Sequence, residues 1–173
     1  YGLNDTTQTT MAAFFDYDND GDLDVYLCVN HIIDGDFPNR FRPRMIKGEH
    51  PSTGRLYQNN WNDTLKHPTF TDVSVKAGAL IEGYGHAVSI ADINNDGWKD
   101  IYVTNDYLAQ NILYINNHDG TFTDKVTEYF KHTSANSMGN DITDINNDGL
   151  ADVIELDMNP EDNFRKKMMM NAN

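Results

Sequence analysis

Three stretches of the chain carry oxygen-bearing side chains at one spacing. Residues 16–24 (DYDNDGDLD), 92–100 (DINNDGWKD) and 144–152 (DINNDGLAD) all fit the pattern D-x-[DN]-x-[DN]-G-x-x-D. Together they hold 11 of the 27 acidic residues. Carboxylates this dense repel one another unless a cation sits among them. Ca²⁺ suits such a set, because it takes about six to eight oxygens at about 2.3–2.6 Å from a tightly curled loop. Positions 1, 3 and 5 supply side chains, the glycine at position 6 permits a sharp turn, position 7 offers its carbonyl, and the aspartate at position 9 closes the shell. The expected ligands are Asp16, Asp18, Asp20 and Asp24 with the carbonyl of Asp22 in loop one. Loop two offers Asp92, Asn94, Asp96 and Asp100 with the carbonyl of Trp98. Loop three offers Asp144, Asn146, Asp148 and Asp152 with the carbonyl of Leu150. The competing reading is that Asp/Asn/Gly clusters are only turns. Three matches in register, each leading into an apolar run, favour about three Ca²⁺ ions. Mg²⁺ fits less well, since it keeps its water and demands stricter octahedral geometry.

The segment behind each loop decides its kind. An EF-hand carries Glu at position 12 and lies between helices. Here position 12 is Leu27, Val103 and Glu155, and the segments behind the loops read VYLCV (25–29), IYVT (101–104) and Val153-Ile154. β-Branched and aromatic residues in short runs bounded by Asp, Asn and Gly are strand signals. EF-hand and dockerin-type readings therefore both fail, and each loop is expected to join two strands.

The elements that position the loops recur with them. Leu56-Tyr57-Gln58-Asn59-Asn60 returns as Leu113-Tyr114-Ile115-Asn116-Asn117, and Thr69-Phe70-Thr71-Asp72 returns as Thr121-Phe122-Thr123-Asp124. Thr69 to Thr121 is 52 residues, and Asp92 to Asp144 is again 52; Asp16 to Asp92 is 76, an excess of 24. Each unit reads as four short strands, in the middle unit about 86–91, 101–104, 111–115 and 121–127, with a hairpin at residues 116–120. Four antiparallel strands per repeat describe a propeller blade. The expected fold is all-β: one blade over 10–75 with an insertion at 30–54, a second over 86–128, a half blade over 138–158, and a tail over 159–173 that starts a helix. In that tail Asn159 can cap and Pro160 suits the first helical position.

These residues carry a family resemblance. Residues 83–105 (GYGHAVSIADINNDGWKDIYVTN) resemble FG-GAP/VCBS repeats, as in integrin-α-type propellers, and 113–124 (LYINNHDGTFTD) is similarly typical. The ending at 157–167 (DMNPEDNFRKK) looks like bacterial proteins of the cartilage-acidic-protein type, which carry VCBS repeats and often an ASPIC/UnbV segment. Intact Phe-Gly-Gly and Gly-Ala-Pro signatures are missing, which favours the bacterial branch. The resemblance implies that the loops bind calcium and that the propeller is an extracellular binding or scaffold module, with calcium in a structural role.

Composition narrows the classes further. The chain has 173 residues with 13 basic and 27 acidic ones, a formal net charge of −14, which argues against phosphate recognition and hence nucleic acid. No apolar run approaches the about 18 residues of a membrane span. With 39% hydrophobic and 11% aromatic residues it is too rich in core formers for simple disorder. The single cysteine, Cys28, excludes an internal disulfide and, falling in a strand run, reads as a small core residue. Without the 24 extra residues the chain holds about 2.9 repeats of 52, whereas a propeller closes with about four to eight blades. It is expected to be a segment completed by further blades in a larger, exported protein at a cell surface, a bacterial outer surface in particular. Two Asn-x-Thr triplets, at Asn4 and Asn62, are faint support for export.

The insertion is the most individual segment. Arg40, Arg42, Arg44, Lys47 and Arg55 lie within it or at its edge, interleaved with Phe37, Pro38, Phe41, Pro43 and Met45. It reads either as a binding loop for an acidic glycan or protein, or as a solvated insertion whose arginines offset local carboxylates. The six histidines show no metal-binding spacing, and no nucleophile-elbow, P-loop or dinucleotide motif is present. The expected function is a non-catalytic binding or adhesion scaffold. The alternative is a calcium-dependent, lyase-type enzyme acting on polysaccharides through Arg40, Arg42, Arg44 or Lys47 beside a Tyr or His.

Overall fold

The computed structural model describes residues 1–33, 42–107 and 109–158. The fold is nearly all β. Strands β1 (Thr9–Phe15), β2 (Asp24–Val29), β3 (Arg55–Asn62) and β4 (His67–Asp72) form one antiparallel sheet in chain order. Strands β5 (Gly85–Ala91), β6 (Asp100–Asn105), β7 (Ile112–Asn116) and β8 (Phe122–Asp124) form a second with the same order, and β9 (Ser137–Thr143) pairs with β10 (Asp152–Asp157). The first strands of the three sheets, β1, β5 and β9, lie side by side. This is the arrangement of consecutive propeller blades, two complete and one represented by its first hairpin.

The registers repeat along with the sequence. Val25 faces Tyr57 as Ile101 faces Tyr114, and Tyr57 faces Asp72 as Tyr114 faces Asp124. Strand β8 stops at Asp124, short of the expected Thr127, because the Asp124 carboxylate accepts the N–H of Val126 at 3.2 Å. That contact starts the single helical turn α2 (Val126–Tyr129). Asp72 does the same for Ser74 at the head of α1 (Ser74–Ala77), at 2.9 Å. α1 ends on Gly78, whose φ of 74° is left-handed.

Between the two complete sheets lies one apolar core that includes Phe15, Tyr26, Leu56, Val88, Ile101 and Phe122. A smaller cluster of Tyr102, Leu113, Ile115 and Val126 meets Ile142 and Val153 of the third sheet. Each such side chain removed from water contributes about 1.5–3 kcal/mol. Among the described residues no helix is long and apolar enough to cross a membrane. The expected helix start at 159–173 lies outside the described residues.

The described part of the insertion folds back onto the linker between the first two sheets. The Arg42 guanidinium grips Glu82 with both arms, at 2.6 and 2.9 Å. Arg44 donates to the carbonyls of Glu82 and Gln110, at 2.8 and 2.7 Å. Glu82 is buried and also accepts the Met45 N–H at 2.9 Å. Arg42 thus offsets a carboxylate, whereas Arg44 holds backbone carbonyls; Phe37, Pro38, Arg40 and Phe41 lie outside the described residues.

Candidate metal centres

Each acidic loop joins the first strand of a sheet to the second, and the three are built alike. The carboxylate at position 1 accepts two backbone N–H groups from across the curl. Asp16 takes those of Asp20 and Gly21 at 3.1 and 3.0 Å, Asp92 those of Asp96 and Gly97 at 2.9 and 2.8 Å, and Asp144 those of Asp148 and Gly149 at 3.0 and 2.7 Å. The curl needs two left-handed residues. Position 4 is asparagine in all three loops, Asn19, Asn95 and Asn147, at φ 58°, 59° and 61°. Position 6 is glycine, Gly21, Gly97 and Gly149, at φ 92°, 89° and 85°. Asparagine tolerates the left-handed region better than most residues, and glycine enters it without steric cost.

The aspartate at position 9 ties the loop to the sheet. Asp24 accepts the N–H of Tyr17 at 3.0 Å and that of Asn59 on β3 at 2.8 Å. Asp100 accepts the N–H of Ile93 and that of Asn116 on β7, both at 2.9 Å. Asp152 receives the equivalent loop N–H, from Ile145 at 3.0 Å; the described residues include no third strand in that sheet. Asp24 and Asp100 are fully buried, whereas Asp152 is half-buried. Asn59 and Asn116 also reach the loops with their side chains, donating to the carbonyls of Leu23 and Lys99 at 3.1 and 3.3 Å. These clamps are the residues that the ligand pattern misses, although the Leu-Tyr-x-Asn-Asn repetition marks them.

In loop one the ligand atoms of Asp16, Asp18 and Asp24 lie within 4.8 Å of one another. Gln58 donates to Oδ2 of Asp18 at 2.6 Å, and Oδ1 of Asp18 is buried without a hydrogen-bond partner. Asp20 stands outside that trio and accepts the Asp22 N–H at 2.9 Å. Burial pushes the Asp24 carboxyl up to about 6; the N–H groups of Asn59 and Tyr17 only partly offset it, and the charges of Asp18 and Asp20 add to it. Asp18 is raised by burial and by the Asp20 charge, against the hydrogen bond from Gln58. Three carboxylates thus converge, and one oxygen of Asp18 is buried without a hydrogen-bond partner. An oxygen-seeking divalent cation fits that donor set.

Loops two and three gather fewer carboxylates, since Asn94 and Asn146 occupy position 3. The Asn94 amide turns into the loop, donating to Asp96 at 2.6 Å and accepting the Asp96 N–H at 3.2 Å. Asn146 does the same with Asp148, at 3.0 and 2.9 Å. His118 Nε2 lies 2.7 Å from Asp96, and its ring stacks on Trp98 with centroids 5.0 Å apart. Burial of Asp96 is slight and is outweighed by hydrogen bonds from His118, Trp98 and Asn94, so its carboxyl sits below the usual carboxylate range. Burial raises Asp100, against the N–H groups of Asn116 and Ile93.

Residues 92–154, from the second loop through the third, match the family model of the FG-GAP-like repeat. No curated protein matches the chain.

Proposed function

Starting from a chain that carries an FG-GAP-like repeat, we propose a calcium-stabilised propeller segment of an exported, cell-surface protein that serves as a binding or adhesion scaffold. The observation that carries the calcium reading is the convergence of Asp16, Asp18 and Asp24 within 4.8 Å, with an unpartnered buried oxygen on Asp18. Bound Ca²⁺ supplies charge neutralisation and no reaction chemistry. Asp16, Asp18, Asp20, Asp24 and the Asp22 carbonyl would hold the first ion, and the corresponding residues of the other loops the second and third. Three divalent ions bring the formal charge from −14 to −8.

Calcium binding of this kind acts on folding, because the ion binds the curled loop and not the unfolded chain. At a calcium concentration of about 100 times Kd, each site adds about 2.7 kcal/mol of stability. Extracellular modules work at Kd values of about 10⁻⁴–10⁻³ M, so millimolar external calcium fills even weak loops. That relation supports placement outside the cell. Scaffold action is favoured over lyase chemistry because Arg42 and Arg44, two of the basic residues a lyase would draw on, are engaged with Glu82 and Gln110.

The test is a calorimetric calcium titration of the chelator-stripped chain beside a thermal melt. About three sites and a melting temperature that climbs with calcium are expected. A folded chain that takes up no calcium would reduce the loops to turns. Incubation with an acidic polysaccharide separates the two functions: saturable binding without product fits the scaffold, and turnover overturns it.

A further inference from the structure

Loop one is held by a side chain that loop two lacks. Gln58 and Ile115 occupy the same place in their sheets, since Gln58 faces Thr71 across β3–β4 and Ile115 faces Thr123 across β7–β8. Only the glutamine can donate a hydrogen bond toward the loop. The difference is matched at position 3. Where the third strand offers Gln58, position 3 is Asp18, a carboxylate that accepts from that glutamine. Where the third strand offers Ile115, position 3 is Asn94, whose amide satisfies itself within the loop on Asp96.

The ligand oxygens of Asp16, Asp18 and Asp24 lie within 4.8 Å of one another, and repulsion among like charges turns Asp18 toward water unless a donor holds it. The Gln58 bond at 2.6 Å takes Oδ2 and restrains the carboxylate, whose Oδ1 is buried without a hydrogen-bond partner. Resting on the calcium reading of the loops, we propose that Gln58 is the positioning residue for Asp18 and makes the 16–24 loop the tightest of the three calcium sites. Its role is that of a partner behind a metal ligand, whose removal costs about 10- to 100-fold in metal affinity.

Calcium titration of the full chain carrying Gln58→Ile, the residue blade two uses, tests this. Loss of the tightest site in Asp16→Asn identifies that site with loop one. In Gln58→Ile the same site is expected to weaken by about 10- to 100-fold while the other two keep their affinities. The chelator-stripped melting temperature stays within about 2 °C of the parent, a shift worth less than about 1 kcal/mol. Gln58→Met, which keeps the length without the N–H, is expected to show the same loss should the isoleucine variant fold poorly. A tightest site that holds its affinity within about twofold in a folded Gln58→Met chain overturns the proposal while leaving the calcium reading intact. A parent chain that binds no calcium overturns both.

Discussion

Asp24 sets the sign of the pH dependence of this protein without calcium. Its carboxyl is buried and sits at about 6 in the folded state, against an ordinary 3.8. The folded chain therefore holds this proton more tightly than the unfolded one between those values. Stability from this group is fully present below about pH 4 and is lost as pH rises through about 6. The difference of about 2.2 between 6 and 3.8 corresponds to a ceiling of about 3 kcal/mol. Solvent at the open side of the loop screens part of it, leaving about 1.5–2.5 kcal/mol. For a chain of this length that is about 3–10 °C in Tm. Asp18 and Asp100 are shifted the same way and add to the trend. The assay is a series of melts from pH 4.5 to 7.5 in chelator, repeated with excess calcium. Tm is expected to fall across the series in chelator. With calcium the slope is expected to invert, because a bound ion would hold the carboxylates ionised and compete with protons. Asp24→Asn should flatten the chelator slope whatever it does to the absolute Tm. A slope that survives unchanged in Asp24→Asn would refute the assignment to this buried carboxylate.

Three further outcomes rest on particular contacts. Asn116→Ala removes the donor to the buried Tyr17 carbonyl, at 2.8 Å across the seam between the first two sheets, and should cost about 1–3 kcal/mol in urea unfolding; a loss under about 0.5 kcal/mol would discount the bond. Arg42→Ala strands the buried Glu82 carboxylate and should lower stability by about 1–3 kcal/mol. Unchanged stability together with lost binding of an acidic polysaccharide would instead return Arg42 to the role of a recognition residue. Burial pushes the Cys28 thiol up to about 12, so a disulfide reagent at pH 8 should leave the native chain unlabelled and modify it fully in denaturant. Rapid labelling of the native chain would contradict the burial.

The curl of the three loops is legible in the sequence because its geometry is local. Positions 1 to 9 lie within one curl, and the spacing that gathers oxygens is written in consecutive residues. Strand order is legible for a related reason, since a repeat that recurs at 52 residues carries its register with it. The supports show there only as a repetition, without their contacts. Asn59 reaches Asp24 from 35 residues away and Gln58 reaches Asp18 from 40; only strand pairing puts them there. The end of β8 falls short of its expected place because Val126 and Thr127 look strand-like, while the Asp124 side chain bonds the Val126 N–H and turns the chain into α2. The partner of Arg42 is equally remote: Glu82, whose carboxylate it offsets, lies 40 residues on.

Those supports also explain why acidic loops can sit at a seam between sheets. Tyr17 stands between two expected ligands, Asp16 and Asp18, yet its ring is buried and stacks on Phe122 of the second sheet, with centroids 6.2 Å apart. Its carbonyl receives the side chain of Asn116, whose own N–H is bound by Asp100 of the second loop. The residue that the first loop presents to its neighbour is thus held by the residue that anchors the neighbour's loop. Curling of loop one places Tyr17, and Tyr17 in place fills the edge of the next sheet. Repulsion that uncurls one loop must therefore loosen the seam as well. A change in the curl of a hairpin only a few residues long acts on the packing between the first two sheets, through Tyr17 and its contacts with Asn116 and Phe122.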